Sequence, residues 1–180
     1  MRAFISAEIP DEVGERLAEA ARMLDFPGIK FVDKKNMHLT FAFLGDFDGA
    51  RVDEVKDILD NISLKNFDVE IAGMSYLGNP GAICSGVVIG AEEMKAIAAS
   101  VRTGLRSRRI AFDNKEFVPH VTVARIKYRI DESALKNALG SFESMSFGRF
   151  ISDNIVFFRS ILGDKEPAYE KLYERKERSI

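Results

Sequence analysis

Two short segments of this chain place a threonine two residues after a histidine, a combination that can move protons and donate hydrogen bonds. They are His38-Leu39-Thr40 and His120-Val121-Thr122. The chain has 2 histidines, and two of its three threonines stand in this relation to them. A shuffled chain of the same composition would give this double match roughly once in a few thousand trials, so the pattern asks for a chemical explanation.

Each pair lies in a stretch with the residue pattern of a β-strand. Side chains at positions i and i+2 of a strand project from the same face, roughly 6.5–7 Å apart. Each histidine is therefore predicted to share an open face with the threonine of its own segment. The opposite face of the two strands is predicted to anchor them in the core through Leu39, Phe41, Phe43, Val121 and Val123.

Two imidazoles that face one another suit an in-line displacement at phosphorus. A neutral histidine can accept a proton from the attacking oxygen while a protonated histidine donates one to the departing oxygen. A reference pKa of about 6.5 lets both forms coexist near neutral pH. The hydroxyls of Thr40 and Thr122 can donate hydrogen bonds to the non-bridging phosphate oxygens. This chemistry requires no metal.

Arg125 follows Thr122 by three residues and carries a permanent charge suited to phosphate. Regular strand alternation predicts that it points away from His120. It reaches the same face only if the strand twists, bulges or ends there.

Alternative roles of the two histidines are less well supported but stay open. A zinc site is poorly supported because no cysteine or carboxylate stands at ligand spacing. A Ser-His-Asp arrangement lacks a nucleophile-elbow sequence. Two histidines with a purely structural role in the core are the remaining alternative.

The composition is that of an ordinary globular protein. Apolar residues make up 46% and charged residues 30% of the chain, with a net charge of −2, so any polyanion must be bound locally. The single cysteine, Cys84, excludes an intramolecular disulfide, fits a reducing cytoplasm, and has the apolar neighbours of a buried strand residue. Neither a signal sequence nor a run of about 18 apolar residues is present, so we expect a cytoplasmic protein with no membrane contact.

Periodicity and turn residues predict a mixed chain of strands and helices. Strands are predicted at 2–9, 31–32, 38–44, 67–71, 83–89, 117–126, 145–151, 155–162 and 168–174, helices at 11–24, 52–62, 92–109 and 131–139, and a turn at 78–81. The order of elements after each histidine is alike, which predicts an internal repeat of about 82 residues with equivalent Phe-rich strands from Phe67 and Phe147. We therefore predict a single bilobal domain over 1–180, with one motif per half and both motifs in one cleft.

The segments 38–45 (His-Leu-Thr-Phe-Ala-Phe-Leu-Gly) and 119–125 (Pro-His-Val-Thr-Val-Ala-Arg) resemble the signatures of the two-histidine (2H) phosphoesterases. Within that superfamily the chain looks like the bacterial and archaeal RNA 2′,3′-cyclic phosphodiesterases, historically called 2′-5′ RNA ligases. The first residues, 2–5, and the late strand 155–162, followed by Tyr169 and Leu172, are similar as well. The resemblance covers essentially the whole chain.

The resemblance implies an α+β, bilobal 2H phosphoesterase-like fold with two pseudo-symmetric antiparallel-sheet lobes, outer helices and a central cleft. It implies metal-independent hydrolysis of RNA 2′,3′-cyclic phosphate ends to 2′-phosphomonoesters without a cofactor, together with reversible 2′-5′ RNA ligation. His38 would be the proton donor to the leaving 3′ oxygen and His120 the proton acceptor that activates water. Thr40 and Thr122 would hold the phosphate and Arg125 would assist. The near symmetry of the two motifs cannot by itself assign the two proton roles.

The expected partner is RNA with a 2′,3′-cyclic phosphate end, tRNA halves included, bound by a monomer. Two other functions stay open: hydrolysis of a small cyclic nucleotide phosphate, and binding of phosphate-ended RNA without chemistry. An RNA substrate would be favoured by the basic residues that flank the motif strands, namely Lys30, Lys34, Lys35, Lys127 and Arg129.

Overall fold

In the computed structural model of the protein, residues 1–78, 81–163 and 166–177 are described. Within them the chain forms the strands β1 (Arg2–Glu8), β2 (Ile29–Phe31), β3 (His38–Asp46), β4 (Phe67–Leu77), β5 (Ala82–Ile89), β6 (His120–Ile126), β7 (Ser146–Ser152), β8 (Asn154–Ile161) and β9 (Ala168–Lys176). The helices are α1 (Asp11–Arg22), α2 (Val52–Asp60), α3 (Ala91–Ser107) and α4 (Glu132–Gly140). These elements lie where the sequence predicts them, within a few residues, except that β4 continues to Leu77 although it was predicted to end at residue 71. The predicted turn at 78–81 includes residues 79 and 80, which lie outside the described residues.

The strands form one antiparallel sheet in which the two histidine strands are neighbours. The order is β7-β4-β5-β6-β3-β1-β8-β9, and β2 pairs with β6 outside this path. The contact between β3 and β6 is narrow, through the pair Leu39–Val121. Four strands lie on each side of it, so the sheet consists of two lobes joined at the histidine strands. The predicted α+β fold with two antiparallel lobes is thereby confirmed.

The helices cover one face of the two lobes in a matched way. Helices α2 and α3 pack against strands of the lobe that contains β3, and α1 and α4 pack against strands of the lobe that contains β6. Apolar stripes cause this packing: Leu17 of α1, Val55 of α2, Val101 of α3 and Leu135 of α4 are all buried. Each such side chain stabilises the fold by roughly 1.5–3 kcal/mol relative to an exposed one. Since the helices occupy this face, the other face is available for a cleft.

A smaller apolar cluster lies apart from the main core, on the β3 lobe. It consists of Phe4, Val156 and Phe158, with Tyr169 packed against it. This cluster fills part of the sheet face that is not covered by helices, and it comes into contact with His38 through Phe4.

One part of the predicted repeat is wrong. The strands that begin near Phe67 and Phe147 were expected at equivalent positions in the two halves, but β4 and β7 are adjacent strands of the same lobe. The strand two places from β6 is β4, and the strand two places from β3 is β8. The reason is that β4 and β5, which follow β3 in the chain, join the lobe that contains β6. Strand β8, which follows β6, returns to the lobe that contains β3 and pairs with β1. The origin of the chain as a repeat stays a prediction.

No helix among the described residues combines the length and the apolar composition needed to cross a bilayer.

Candidate active site

The two predicted histidines lie close together on the uncovered face of the sheet. In an antiparallel ladder, the pairing of Leu39 with Val121 brings each histidine level with the threonine of the other motif. The sequence-predicted site residues all line one cavity of about 370 Å³: His38, Thr40, His120, Thr122 and Arg125. The fold thus brings the five residues together, while their chemical roles stay predictions.

Both imidazoles are held by the same kind of hydrogen bond. Nδ1 of His38 lies 2.8 Å from the carbonyl oxygen of Asn36, and Nδ1 of His120 lies 2.6 Å from that of Val118. A carbonyl oxygen only accepts, so Nδ1 carries a proton in each ring and donates it. Nε2 then has a free lone pair when the ring is neutral and a proton when the ring is charged. Each ring can therefore act as a base or as an acid through Nε2.

The chain before each histidine is shaped to supply that carbonyl group. Asn36 ends a 3-10 turn and is anchored from the far end of the chain, because its side-chain amide donates to the carbonyl of Pro167 at 3.0 Å. Before His120 stands Pro119, which has no N–H to give to a sheet ladder. The strand predicted from Phe117 accordingly begins at His120.

The surroundings of the two rings differ. Phe4 stacks on His38, with ring centroids 4.6 Å apart and planes inclined by 21°. Tyr169 meets the same imidazole edge-on, at a centroid distance of 5.4 Å. His120 has no ring stacked on it among the described residues. The asymmetry comes from the small apolar cluster, which lies on the side of His38.

This environment alters the proton affinity of His38. Burial lowers the pKa of His38 from 6.5 to about 4, and repulsion from Arg125 and His120 acts in the same direction. The hydrogen bond to Asn36 opposes the shift only in part. In the unliganded protein His38 is therefore neutral at neutral pH. Burial also raises the pKa of Tyr169, which stays protonated as a possible hydrogen-bond donor.

Each threonine has a small polar residue beside it on the neighbouring strand. Thr122 is paired with Cys84, whose Sγ lies 3.7 Å from the threonine Oγ1. Thr40 is paired with Ser6, a fully buried residue whose hydroxyl has no hydrogen-bond partner within the described residues. The prediction that Cys84 is a buried strand residue is correct, and burial raises the pKa of its thiol to about 11. A protonated thiol at this position can hydrogen-bond Thr122 but is a poor nucleophile.

A bulge in β6 turns Arg125 toward the cavity. The pairing of β5 with β6 passes over Val123, which is therefore an extra residue on β6. An extra residue shifts the alternation of side chains by one position, and Val123 and Ala124 are accordingly both buried. Arg125 lines the same cavity as His120. From the sequence, Arg125 was expected to reach the cleft only if the strand twists, bulges or ends near it, and this bulge is such a case.

Arg125 brings a positive charge that no carboxylate neutralises within the described part of the chain. Its field reaches across the cavity: it adds to the lowering of the pKa of His38 and partly opposes the rise that burial causes in the pKa of Cys84 and of Tyr169. The guanidinium disfavours the protonated form of His38, and an anion bound between the two groups would offset that effect. The electrostatics of the cavity therefore favour an anionic ligand.

A second bulge gives a result that strand alternation does not predict. The pairing of β1 with β3 passes over Phe41, so Phe41 and Ala42 are both buried. Phe43 is consequently turned out of the core, is 46% exposed, and lines the cavity. The prediction that Phe43 anchors the strand in the core is wrong, whereas the prediction is correct for Leu39 and Phe41. Phe43 and Arg125 hold the same position, five residues after their histidines.

Several residues of the cavity were named from the sequence without the prediction that they lie beside the histidines, because the signal for that placement is not local. Phe4 and Tyr169 reach His38 from strands at opposite ends of the chain. Lys30 lies on β2, directly across from Arg125, and also lines the cavity. The sequence identified Lys30 only as one of the basic residues that flank the motifs.

The chain is similar along its length to known phosphoesterases. A family model described as LigT-like phosphoesterase matches residues 7–84 and 89–169. The RNA 2′,3′-cyclic phosphodiesterase of Aquifex aeolicus is 32% identical over 177 residues, which cover 95% of this chain and 93% of that protein. The enzyme of the same name from Methanocaldococcus jannaschii is 26% identical over 175 residues, covering 97% and 99% of the two chains.

Solved structures give the same result for the fold. TT0787 of Thermus thermophilus is 25% identical, with a TM-score of 0.80 over 98% of this chain and 97% of that chain. Escherichia coli LigT complexed with 3′-AMP is 18% identical, with a TM-score of 0.79 over 97% of each chain. At that level of identity the similarity to LigT concerns the fold alone.

Proposed function

This chain belongs to the LigT-like phosphoesterase family of the 2H superfamily, and we propose that it hydrolyses 2′,3′-cyclic phosphates at RNA ends to 2′-phosphomonoesters. The single observation that carries the proposal is the cavity in which two imidazoles, two threonine hydroxyls and an arginine come together. The curated relatives that carry the name RNA 2′,3′-cyclic phosphodiesterase support the choice of substrate.

In the proposed reaction, a water oxygen attacks the phosphorus of the cyclic diester as the bond from phosphorus to the 3′ oxygen breaks. Nε2 of His120 accepts a proton from the water, and Nε2 of His38 donates one to the 3′ oxygen. The products are a 2′-phosphomonoester and a 3′-hydroxyl. Proton exchange with solvent then returns both rings to their starting states.

Thr40, Thr122 and Arg125 would bind the non-bridging oxygens. Their hydroxyl and guanidinium donors line the same cavity as the two histidines. These donors are therefore in place before the reaction begins. Donors fixed before the reaction stabilise the charge that shifts onto these oxygens in the transition state. Cys84, next to Thr122, would act only by positioning the threonine hydroxyl.

The low pKa of His38 bears directly on the donor role. At about 4 it leaves His38 neutral in the empty site, whereas a donor must be protonated. A bound phosphate anion would offset the charge of Arg125 and raise the pKa of His38. The donor role is thus compatible with the structure only if substrate binding protonates this ring. The reverse assignment, with His38 as acceptor, is the second candidate that this observation favours.

The same groups would support 2′-5′ ligation. If the 5′-hydroxyl of another RNA takes the place of water, the same proton transfers join the two RNAs through a 2′-5′ linkage, and the reaction can run backward through the same states. Every group in this mechanism belongs to one chain, which agrees with a monomer as the active form. RNA ends such as those of tRNA halves are the proposed substrates.

The proposal is tested with a short RNA that ends in a 2′,3′-cyclic phosphate, incubated with the protein and excess EDTA. We expect complete conversion to the 2′-phosphomonoester. A 3′-phosphomonoester would mean that the other ester bond breaks, and an unreacted end would overturn the proposal; measurable affinity for that end without turnover would then favour a module that only binds phosphate-ended RNA.

A further inference from the structure

We infer that a groove beside the catalytic cavity, formed around Tyr76, Tyr128 and Arg129, binds the nucleotides that immediately precede the cyclic phosphate. This inference rests on the proposed function, since it concerns how the same site selects RNA over a mononucleotide. The groove has a volume of about 440 Å³.

The groove continues from the catalytic cavity. Lys127 lines both spaces, and it follows Arg125 by two residues at the end of β6. An RNA that ends in a cyclic phosphate extends only in the 5′ direction from the cavity, so it needs one exit path. A path along the end of β6 passes from Arg125 to Lys127 and then to the exposed ring of Tyr128.

The walls of the groove are fixed by backbone contacts. The N–H of Ile126 donates to the carbonyl of Gly81 at 2.9 Å, and the N–H of Lys127 donates to the carbonyl of Gly28 at 2.7 Å. The ring of Tyr76 lies so close to Gly81 that a Cβ atom there would overlap it. Gly81 therefore creates the room in which the Tyr76 ring lies. The groove is built into the fold rather than formed by loose side chains.

The aromatic residues are placed as stacking partners would be. Tyr128 is 76% exposed, so the faces of its ring are accessible to a base. Tyr76 lines the same groove. Bases of single-stranded RNA stack on such rings regardless of sequence, with a gain in affinity of about 5- to 150-fold per base. This mode suits an enzyme that acts on ends of varied sequence.

Charge distinguishes this groove from the other space next to the cavity. Two cations, Lys127 and Arg129, line the groove together with the carboxylate of Glu132. Both cations are exposed and form no ion pair within the described residues, so their charges are available to phosphates. The alternative space, beside Phe43 and His120, is lined by Arg102 and Lys115. Both of these cations already have partners.

Arg102 donates to the carbonyls of Phe41 and Lys115, and Lys115 pairs with Asp113 at 3.3 Å. Charges inside the catalytic cavity also favour one direction for the RNA strand over the other. Glu166 lines it near the contact of Asn36 with Pro167, where its carboxylate would repel a phosphate backbone. The charges thus direct an RNA strand toward Lys127 and the groove.

The test compares a mononucleotide 2′,3′-cyclic phosphate with a trinucleotide that has the same 3′ end. The readout is the ratio of kcat/KM for the two substrates at low salt. For the unaltered protein we expect a ratio of about 10 or more, falling as salt is added. In the double variant Tyr128→Ala/Arg129→Ala the ratio should fall to within about 3-fold of unity. Lys115→Ala, which removes a cation from the alternative space, should keep the original ratio.

The inference is overturned if the double variant keeps the high ratio, if Lys115→Ala removes it, or if the unaltered protein shows no preference for the trinucleotide. Failure of the proposed function looks different, because neither substrate would then be hydrolysed. In that event the affinities for a mononucleotide and a trinucleotide, each with a 2′-phosphate, are measured by fluorescence anisotropy. The longer ligand should still bind more tightly, and that difference should still depend on Tyr128 and Arg129.

Discussion

The ring of Phe4 stacks on the imidazole of His38, with centroids 4.6 Å apart. Phe4 lies on β1, directly beside the histidine strand, and is almost fully buried. Burial lowers the pKa of His38 to about 4 in the empty site, and the Phe4 ring is part of what buries the imidazole. Two histidines with similar local sequences therefore have different surroundings.

The pH dependence of catalysis should reveal this difference. If His38 is the donor, activity declines as pH rises through the pKa of His38, because the donor loses its proton. The decline in kcat/KM, which reports the free enzyme, should lie at lower pH than the decline in kcat, which reports the complex with the anionic substrate. Phe4→Ala should move the decline in kcat/KM to higher pH by exposing the ring to water. NMR titration of the two histidines would check the assignment. If kcat and kcat/KM decline at the same pH, the assignment of His38 as the proton donor is contradicted.

The stability of the protein should depend on His38 in acid. The folded-state pKa of about 4 lies below the unfolded value of 6.5, so the unfolded chain binds more protons between these values. Stability from this group is complete above pH 6.5 and is lost as pH falls to 4, by at most about 3 kcal/mol. His38→Gln should flatten the free energy of unfolding across this window, measured by urea denaturation. His120→Gln keeps His38 and should keep the slope, and an unchanged slope in His38→Gln would refute the argument.

Arg125 should matter for the transition state rather than for the fold. It is exposed and lines the cavity, so Arg125→Ala should leave the melting temperature nearly unchanged. The loss of a fixed donor should lower kcat/KM by about 10²- to 10³-fold. Arg125→Lys should recover only part of this, since a lysine cannot offer two parallel hydrogen bonds. Arg108→Ala removes the same charge outside the cavity and is the control. Equal effects of the two alanine variants would show that only net charge is involved.

Phe43 and Phe41 form a matched pair that tests the bulge in β3. Phe43 is 46% exposed on the cavity wall, whereas Phe41 is 1% exposed in the core. Phe41→Ala should destabilise the fold by about 3–5 kcal/mol. Phe43→Ala should change stability little and raise KM for nucleotide substrates by about 5- to 150-fold, because a surface on which a base can stack is lost. Urea denaturation and steady-state kinetics of both variants would decide. A large loss of stability in Phe43→Ala would contradict the structure.

The sequence was sufficient to predict the order of the elements and the pairing of the two motifs. Apolar stripes with helical spacing identify helices such as α3, and the alternation around His38 and His120 identifies the central strands. The two motifs could be assigned to one cleft because the same rare spacing occurs twice. These features depend on residues that are close together in the chain, so periodicity and spacing are enough to predict them.

The rest depends on contacts between strands that are distant in sequence. The extra residues Phe41 and Val123 are recognisable only once the registers of β1 with β3 and of β5 with β6 are known. Without these bulges, alternation gives the wrong direction for Phe43 and leaves that of Arg125 open. The low pKa of His38 likewise arises from a cluster that joins the two ends of the chain. The local sequence around His38 therefore could not predict its low pKa.

The most direct test of the account is single-turnover hydrolysis of an RNA 2′,3′-cyclic phosphate by His38→Ala, His120→Ala and the double variant. If the two imidazoles act as an acid–base pair in one cavity, each single variant should lower the rate by about 10²- to 10⁴-fold. The total loss of rate in the double variant should be much smaller than the product of the two single losses, because the two rings act on one transition state. A single variant that turns over the RNA at the rate of the unaltered protein would contradict the central claim.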